Sequence, residues 1–178
     1  MKKAFLITAV FLFGYIYVSA QRGVFKNVYA WAQPVLGGAR PAGNAVEGGG
    51  ELKTNAASKQ NYFLYAEYKL SSRKIGWMGV WINGVHYSVQ AVPVTDTPVK
   101  PFENGLGLSE KKWELVPATS NPVMQLLPEK SSGKAVPKVP AIRRMIRDNE
   151  LVIVYIYMGK TWYYPVPKIK MLEAVPAS

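Results

Sequence analysis

His86 is the chain's single histidine, and Asp96 and Asp148 are its two aspartates, so few groups could move a proton. A serine hydrolase would have to act through His86. Ser88 lies two residues on, on the same strand face, and side chains on one face point the same way rather than toward each other. The carboxylates Glu67, Glu103, Glu110 and Glu114 show no spacing that marks a matched acid and base for glycoside cleavage. The chain has no cysteine. That excludes thiol nucleophiles, disulfides and thiolate metal sites, and one histidine is too few for an imidazole cluster. No catalytic residue, metal or cofactor is assigned, and an enzyme acting on an envelope polymer through its glutamates is the runner-up reading.

Binding chemistry is better represented. Trp77 and Trp81 are four residues apart with Gly79 between them, which on an extended strand places their attachment points about 13 Å apart on one face. His86, Ser88 and Gln90 fall opposite them. Aromatic rings flanking a gap, bordered by hydrogen-bonding groups, suit a sugar ring, so Trp77, Trp81, His86 and Gln90 form the expected ligand-binding face. The competing reading of that face is packing under a second layer. A second candidate is the basic run of Lys134, Lys138, Arg143, Arg144 and Arg147, which meets no acidic residue before Asp148. Arg143, Arg144 and Arg147 are the expected anion-binding residues, for the phosphates of lipopolysaccharide or a phosphorylated glycan; a solvated helix face accounts for the same charges.

The elements that must position these residues are mostly strands. Asn83-Gly84 is the dipeptide best suited to a type I′ turn, and apolar-rich runs flank it from Ile75 to Val94. A two-residue turn sets Ile82 opposite Val85, Val80 opposite Tyr87, Met78 opposite Val89 and Gly76 opposite Ala91 on a core side. Trp81–His86, Gly79–Ser88 and Trp77–Gln90 take the other side. Tyr62 to Leu70 alternates with period two, Val24 to Trp31 reads as an N-terminal strand, and Lys111–Val116 and Val123–Leu127 as short strands. A second hairpin joins Glu150–Tyr157 to Thr161–Val166 around Gly159. Ile142, Met145 and Ile146 have helical spacing, which predicts one short amphipathic helix over Pro140–Asn149. The Val-Pro pairs are expected to end strands.

The fold class that follows is mainly β, a small antiparallel sandwich or partly open barrel built from hairpins with one short helix. An outer-membrane barrel is the architectural rival, and the proline-dense middle argues against its long strands. Lys2 and Lys3, the apolar run Ala4–Val18 and Val18-Ser19-Ala20 read as a signal peptide over residues 1–20. Residues 21–60 are read as the N-terminal strand and a flexible segment rich in Gly, Ala and Asn, and residues 61–178 as the β domain. The net charge of +11 favours anionic partners. No zinc-finger, helix-turn-helix or RNA-binding motif accompanies it, so no specific nucleic acid is expected. The reading is an exported, periplasmic or extracellular, non-catalytic binding or structural module of a bacterial-type cell envelope. Its expected partner is an envelope glycan or lipopolysaccharide, with a subunit of an exported assembly, covered by another protein, as a further alternative.

Overall fold

Asn83 and Gly84 turn the chain with φ of 48° and 79°, the two successive left-handed residues of a type I′ hairpin. The computed structural model describes residues 24–36, 60–69, 74–100 and 114–176, so the expected signal peptide lies outside the described residues. The turn joins β3 (Gly76–Ile82) to β4 (Val85–Val94), with Ile82 opposite Val85, Trp81 opposite His86 and Val80 opposite Tyr87, as the sequence predicts. A second two-residue turn, Met158-Gly159 with φ of 51° and 73°, joins β6 (Leu151–Tyr157) to β7 (Lys160–Val166).

The other strands are β1 (Phe25–Leu36), β2 (Gln60–Tyr68), β5 (Val123–Ser131) and the short β8 (Lys170–Met171) and β9 (Val175–Pro176). They assemble in the order β7-β6-β3-β4-β5-β2-β1-β8, with β9 also pairing β1, as a mixed sheet curled into a half-barrel. The architecture is the mainly β, partly open barrel with one short helix expected from the pattern. β1 runs past Trp31 to Leu36 because Gln33 and Pro34 pair with Asn61 and Gln60 of β2, and Val35 and Leu36 with β9. Residues 37–59, the rest of the glycine-rich stretch, lie outside the described residues.

The inner face carries the main core. Leu64, Ala66, Val80, Ile82, Leu126, Leu151, Ile153 and Tyr155 are buried there, and Phe25 fills it from the start of β1. Phe25 stacks on Trp77 at 5.8 Å and meets Tyr155 and Tyr164 edge-on at 4.8 and 5.1 Å. Burial, with Tyr164 and Tyr157 nearby, pushes the Tyr155 phenol up to about 12.

The outer face is covered in two places. Trp31, Tyr65, Leu115, Val116, Val123 and Leu172 form one cluster, and helix α1 (Pro140–Asp148) presses Ile146 onto Trp81, Val152 and Val154 to form the other. Pro140 at the start of α1 supplies a preset φ, and Asn149 Nδ2 donates to the Met145 carbonyl at its end, at 2.7 Å.

Three expectations are corrected here. The hairpin register does not continue to Met78–Val89 and Gly76–Ala91: β3 bulges against β6, where Trp77 pairs Tyr155, Gly79 pairs Val154 and Met78 is the extra residue. A bulge reverses the parity of everything beyond it. Val116 forms only an isolated bridge with Val99 rather than lying in a strand: Pro117 follows it directly, and its partner Val99 lies between Pro98 and Pro101; residues 111–113 lie outside the described residues. Finally, β5 runs through Pro128 to Ser131 where the sequence reading ends it at Leu127, and the Val92-Pro93 pair lies one residue inside β4, whereas β7 ends at the Val166-Pro167 pair as expected. Pro93 lies beyond the part of β4 that β3 pairs and Pro128 lies beside an irregularity, so their missing N–H groups disrupt little of the ladder.

Candidate functional site

Strands β2 and β5 pair from Glu67–Val123 to Leu64–Leu126 and then part company. β2 continues to Gln60 in register with β1, while β5 continues along β4 to Ser131 with one shift of register. The result is a cleft at one end of the half-barrel. Its walls are Gln60, Asn61 and Tyr62 on one side, Leu127, Pro128 and Glu129 on the other, with Tyr87 of β4 beyond them, around about 540 Å³. The irregularity between Tyr87 and Val89, opposite Ser131 and Pro128, falls at this same end.

The cleft has the chemistry of a polar, aromatic-floored site. Tyr62 and Tyr87 are half-buried, each resting partly on the main core. Burial and then the neighbouring Tyr87 raise the Tyr62 phenol above its ordinary value. Tyr62 donates its hydroxyl proton to Gln60 Oε1 at 2.9 Å, which leaves the Gln60 amide N–H groups for a ligand. Ser88 donates to Glu129 Oε2 at 2.9 Å and fixes that carboxylate at the rim. No lysine or arginine lines the cleft among the described residues.

The residues expected to form a tryptophan platform do not share a face. The bulge at Met78 turns Trp77 inward, against Phe25 and the main core, while Trp81 stays on the outer face at 2% exposure beneath α1. The gap over Gly79 is also filled. His86 is buried, meets Trp81 edge-on at 4.9 Å, and has its Nδ1 2.6 Å from Ser132 Oγ. Burial, and then the charge of Lys134, lower its pKa below the ordinary 6.5. Gln90 is exposed and paired with Leu127. The four residues therefore form no shared open face: Trp77 packs on one side of the sheet, Trp81 and His86 are buried on the other, and Gln90 alone of the four is exposed.

Arg143, Arg144 and Arg147 are exposed on α1. Arg144 and Arg147 share Asp148, at 3.4 and 2.9 Å, whereas Arg143 has no ion pair among the described residues. Arg143 and Arg147 help line an open groove of about 660 Å³ with Asn83, Gly84, Val136 and Asn149. Asp148 and Glu150 line it too, although Glu150 Oε2 accepts the Ile169 N–H at 2.7 Å.

Glu67, one of the carboxylates considered for catalysis, is buried and saturated. Oε2 accepts from Asn27 Nδ2 at 2.6 Å and from the Tyr29 hydroxyl at 2.9 Å, and Oε1 from Thr119 Oγ1 and Asn121 Nδ2 at 2.7 Å each. Burial alone would raise its pKa, but the hydrogen bonds from Asn27, Thr119, Tyr29 and Asn121 outweigh it and bring the carboxyl from 4.5 down to about 2. Such a group holds the 117–122 loop to β1 and β2; it is a poor proton donor at neutral pH. Glu114 is exposed, and Glu103 and Glu110 lie outside the described residues. Among the described residues no cluster of three or more His, Asp or Glu is placed to hold a metal.

In the sequence Tyr87 falls on the core side of the hairpin and Tyr62 on an alternating strand, and nothing there marks Gln60, Asn61 or Glu129 as site residues. The available signal is an aromatic near the start of β2 and of β4, and Pro128, which has no N–H to donate where β5 leaves β2. Comparisons with protein-family models, with curated proteins and with solved structures found no match to the chain.

Proposed function

We propose that this chain is a non-catalytic glycan-binding module of a bacterial-type cell envelope, exported by its N-terminal segment, and that it holds saccharide in the cleft between β2 and β5. The observation that carries the reading is the parting of the two strands beyond Leu64 and Leu126, which opens a cleft floored by Tyr62 and Tyr87. Phenol rings offer flat apolar faces to the C–H face of a sugar, while Gln60, Asn61 and Glu129 offer donors and acceptors to its hydroxyls. The preorganised Tyr62–Gln60 and Ser88–Glu129 hydrogen bonds reduce the ordering cost of binding. The saturated state of Glu67 favours binding over carboxylate catalysis.

The test is calorimetric titration of the full chain with maltotriose, cellotriose, mannotriose and triacetylchitotriose. Saturable binding of at least one, weakened roughly tenfold by Tyr87→Ala and retained by Trp77→Phe, is the expected result. Absence of binding to all four at millimolar concentration, or binding indifferent to Tyr87→Ala and Tyr62→Ala, overturns the cleft as the site.

A further inference from the structure

The cleft and the arginine groove open at the same end of the half-barrel. Gln60, the Asn83–Gly84 turn, Ser131, Leu151 and Val166 all fall there, because Tyr87 pairs Ser131, Ile82 pairs Leu151 and Leu151 pairs Val166. Gly84, in the groove, is three residues from Tyr87, in the cleft, a separation of about 10 Å along the strand. The chain between the two sites leaves Glu129 of the cleft, passes over the rim beside His86 and reaches Pro140 of α1. Ser132 N donates to the His86 carbonyl at 3.0 Å, and the Ser132 hydroxyl meets the His86 ring, which pins the segment's start. Nearly every residue from Lys130 to Val139 is exposed, and the segment carries Lys130, Lys134 and Lys138 with no acidic side chain. Arg143, unpaired among the described residues, stands at its far end.

From this arrangement we infer that the ligand is an extended anionic glycan, longer than the cleft, whose sugar ring sits on Tyr62 and Tyr87 while its acidic substituents follow Lys130, Lys134 and Lys138 to Arg143. The inference rests on the glycan reading of the cleft and adds the charge and length of the ligand. Each cation contributes a solvent-screened attraction, so the gain falls as salt rises. Specificity comes from spacing: a neutral chain fills only the cleft, and a short anion reaches only part of the lysine path.

The experiment compares dextran with dextran sulfate, and maltotriose with oligogalacturonate, by calorimetry on the full chain at two salt concentrations. Three forms are titrated: the natural sequence, Lys130→Ala/Lys134→Ala/Lys138→Ala, and the equal-charge control Lys69→Ala/Lys74→Ala/Lys100→Ala, whose exposed lysines lie away from the path. The anionic polymers are expected to bind at least roughly tenfold tighter than the neutral ones at low salt. That gain is lost in the path variant and kept in the control. Equal affinity for neutral and anionic chains overturns the inference, and so does an equal loss in both triple variants, which would reduce the effect to net charge. Tyr87→Ala separates the two readings: path-dependent anion binding that ignores Tyr87 sinks the cleft and leaves the lysine path standing, whereas Tyr87-dependent binding without a charge gain does the reverse.

Discussion

His86 occupies the space that a side chain on Gly79 would need: its Nε2 lies 2.7 Å from the β-carbon position of residue 79, and the Tyr87 carbonyl oxygen lies 2.6 Å from the same point. Gly79 also has φ of 148°, a conformation that side chains other than glycine's rarely adopt. The bulge that sends Trp77 and Trp81 to opposite faces is therefore followed by a position that only glycine fits.

Gly79→Ala is expected to lower stability by about 3 kcal/mol, from backbone strain together with overpacking. Urea unfolding monitored by circular dichroism measures it. Most of the loss should persist in a His86→Ala background, because the Tyr87 carbonyl is main chain and cannot swing away. A loss that disappears there would assign the whole clash to the imidazole.

The Glu67 carboxylate makes stability depend on acid in a defined window. Its pKa falls from the ordinary 4.5 to about 2 on folding, so the unfolded chain binds the proton more readily. Its contribution is complete above about 4.5 and is lost as pH falls through that value toward about 2, amounting to something on the order of 3 kcal/mol. Glu67→Gln turns an amide against donors at either oxygen position, Asn27 and Tyr29 on one and Thr119 and Asn121 on the other. It should cost about 3 kcal/mol at neutral pH and flatten the stability profile over the acid window. Parallel profiles for the two proteins would show that Glu67 is not the group responsible.

Local chemistry explains which features the sequence made legible. Asn83-Gly84 fixes a turn by itself, the spacing of Ile142, Met145 and Ile146 fixes a helix face, and the alternation through Leu64 and Ala66 fixes a strand. The bulge at Met78 was not legible, because it arises in the pairing of β3 with β6 and not in the turn that sets the β3–β4 register. For the same reason the turn register alone puts the two tryptophans on one face. The Tyr62–Tyr87 cleft also depends on a distant event, the point at which β2 leaves β5, which no residue of either strand announces alone. Glu67 read as one position on a mixed strand face, and only the folded chain brings Asn27, Thr119 and Asn121 to its carboxylate.

Ile146 tests whether α1 is the cover that takes Trp81 out of solvent. Ile146 is the buried residue of α1, and it rests against Trp81, Val152 and Val154, while Ile142 and Met145 flank it half-buried. Ile146→Ala removes three carbons from that contact and leaves a cavity beneath a helix of only nine residues, too short to persist in water without its packed face. The expected loss is about 3 kcal/mol. Amide hydrogen exchange distinguishes local from global effects: the Arg143–Arg147 amides and the Trp81 indole should exchange faster by more than the loss in global stability accounts for, while those of β1 and β2 follow the global change. Uniform acceleration across the sheet would instead make α1 and the half-barrel one cooperative unit, and an effect below about 1 kcal/mol would remove α1 as the cover of Trp81.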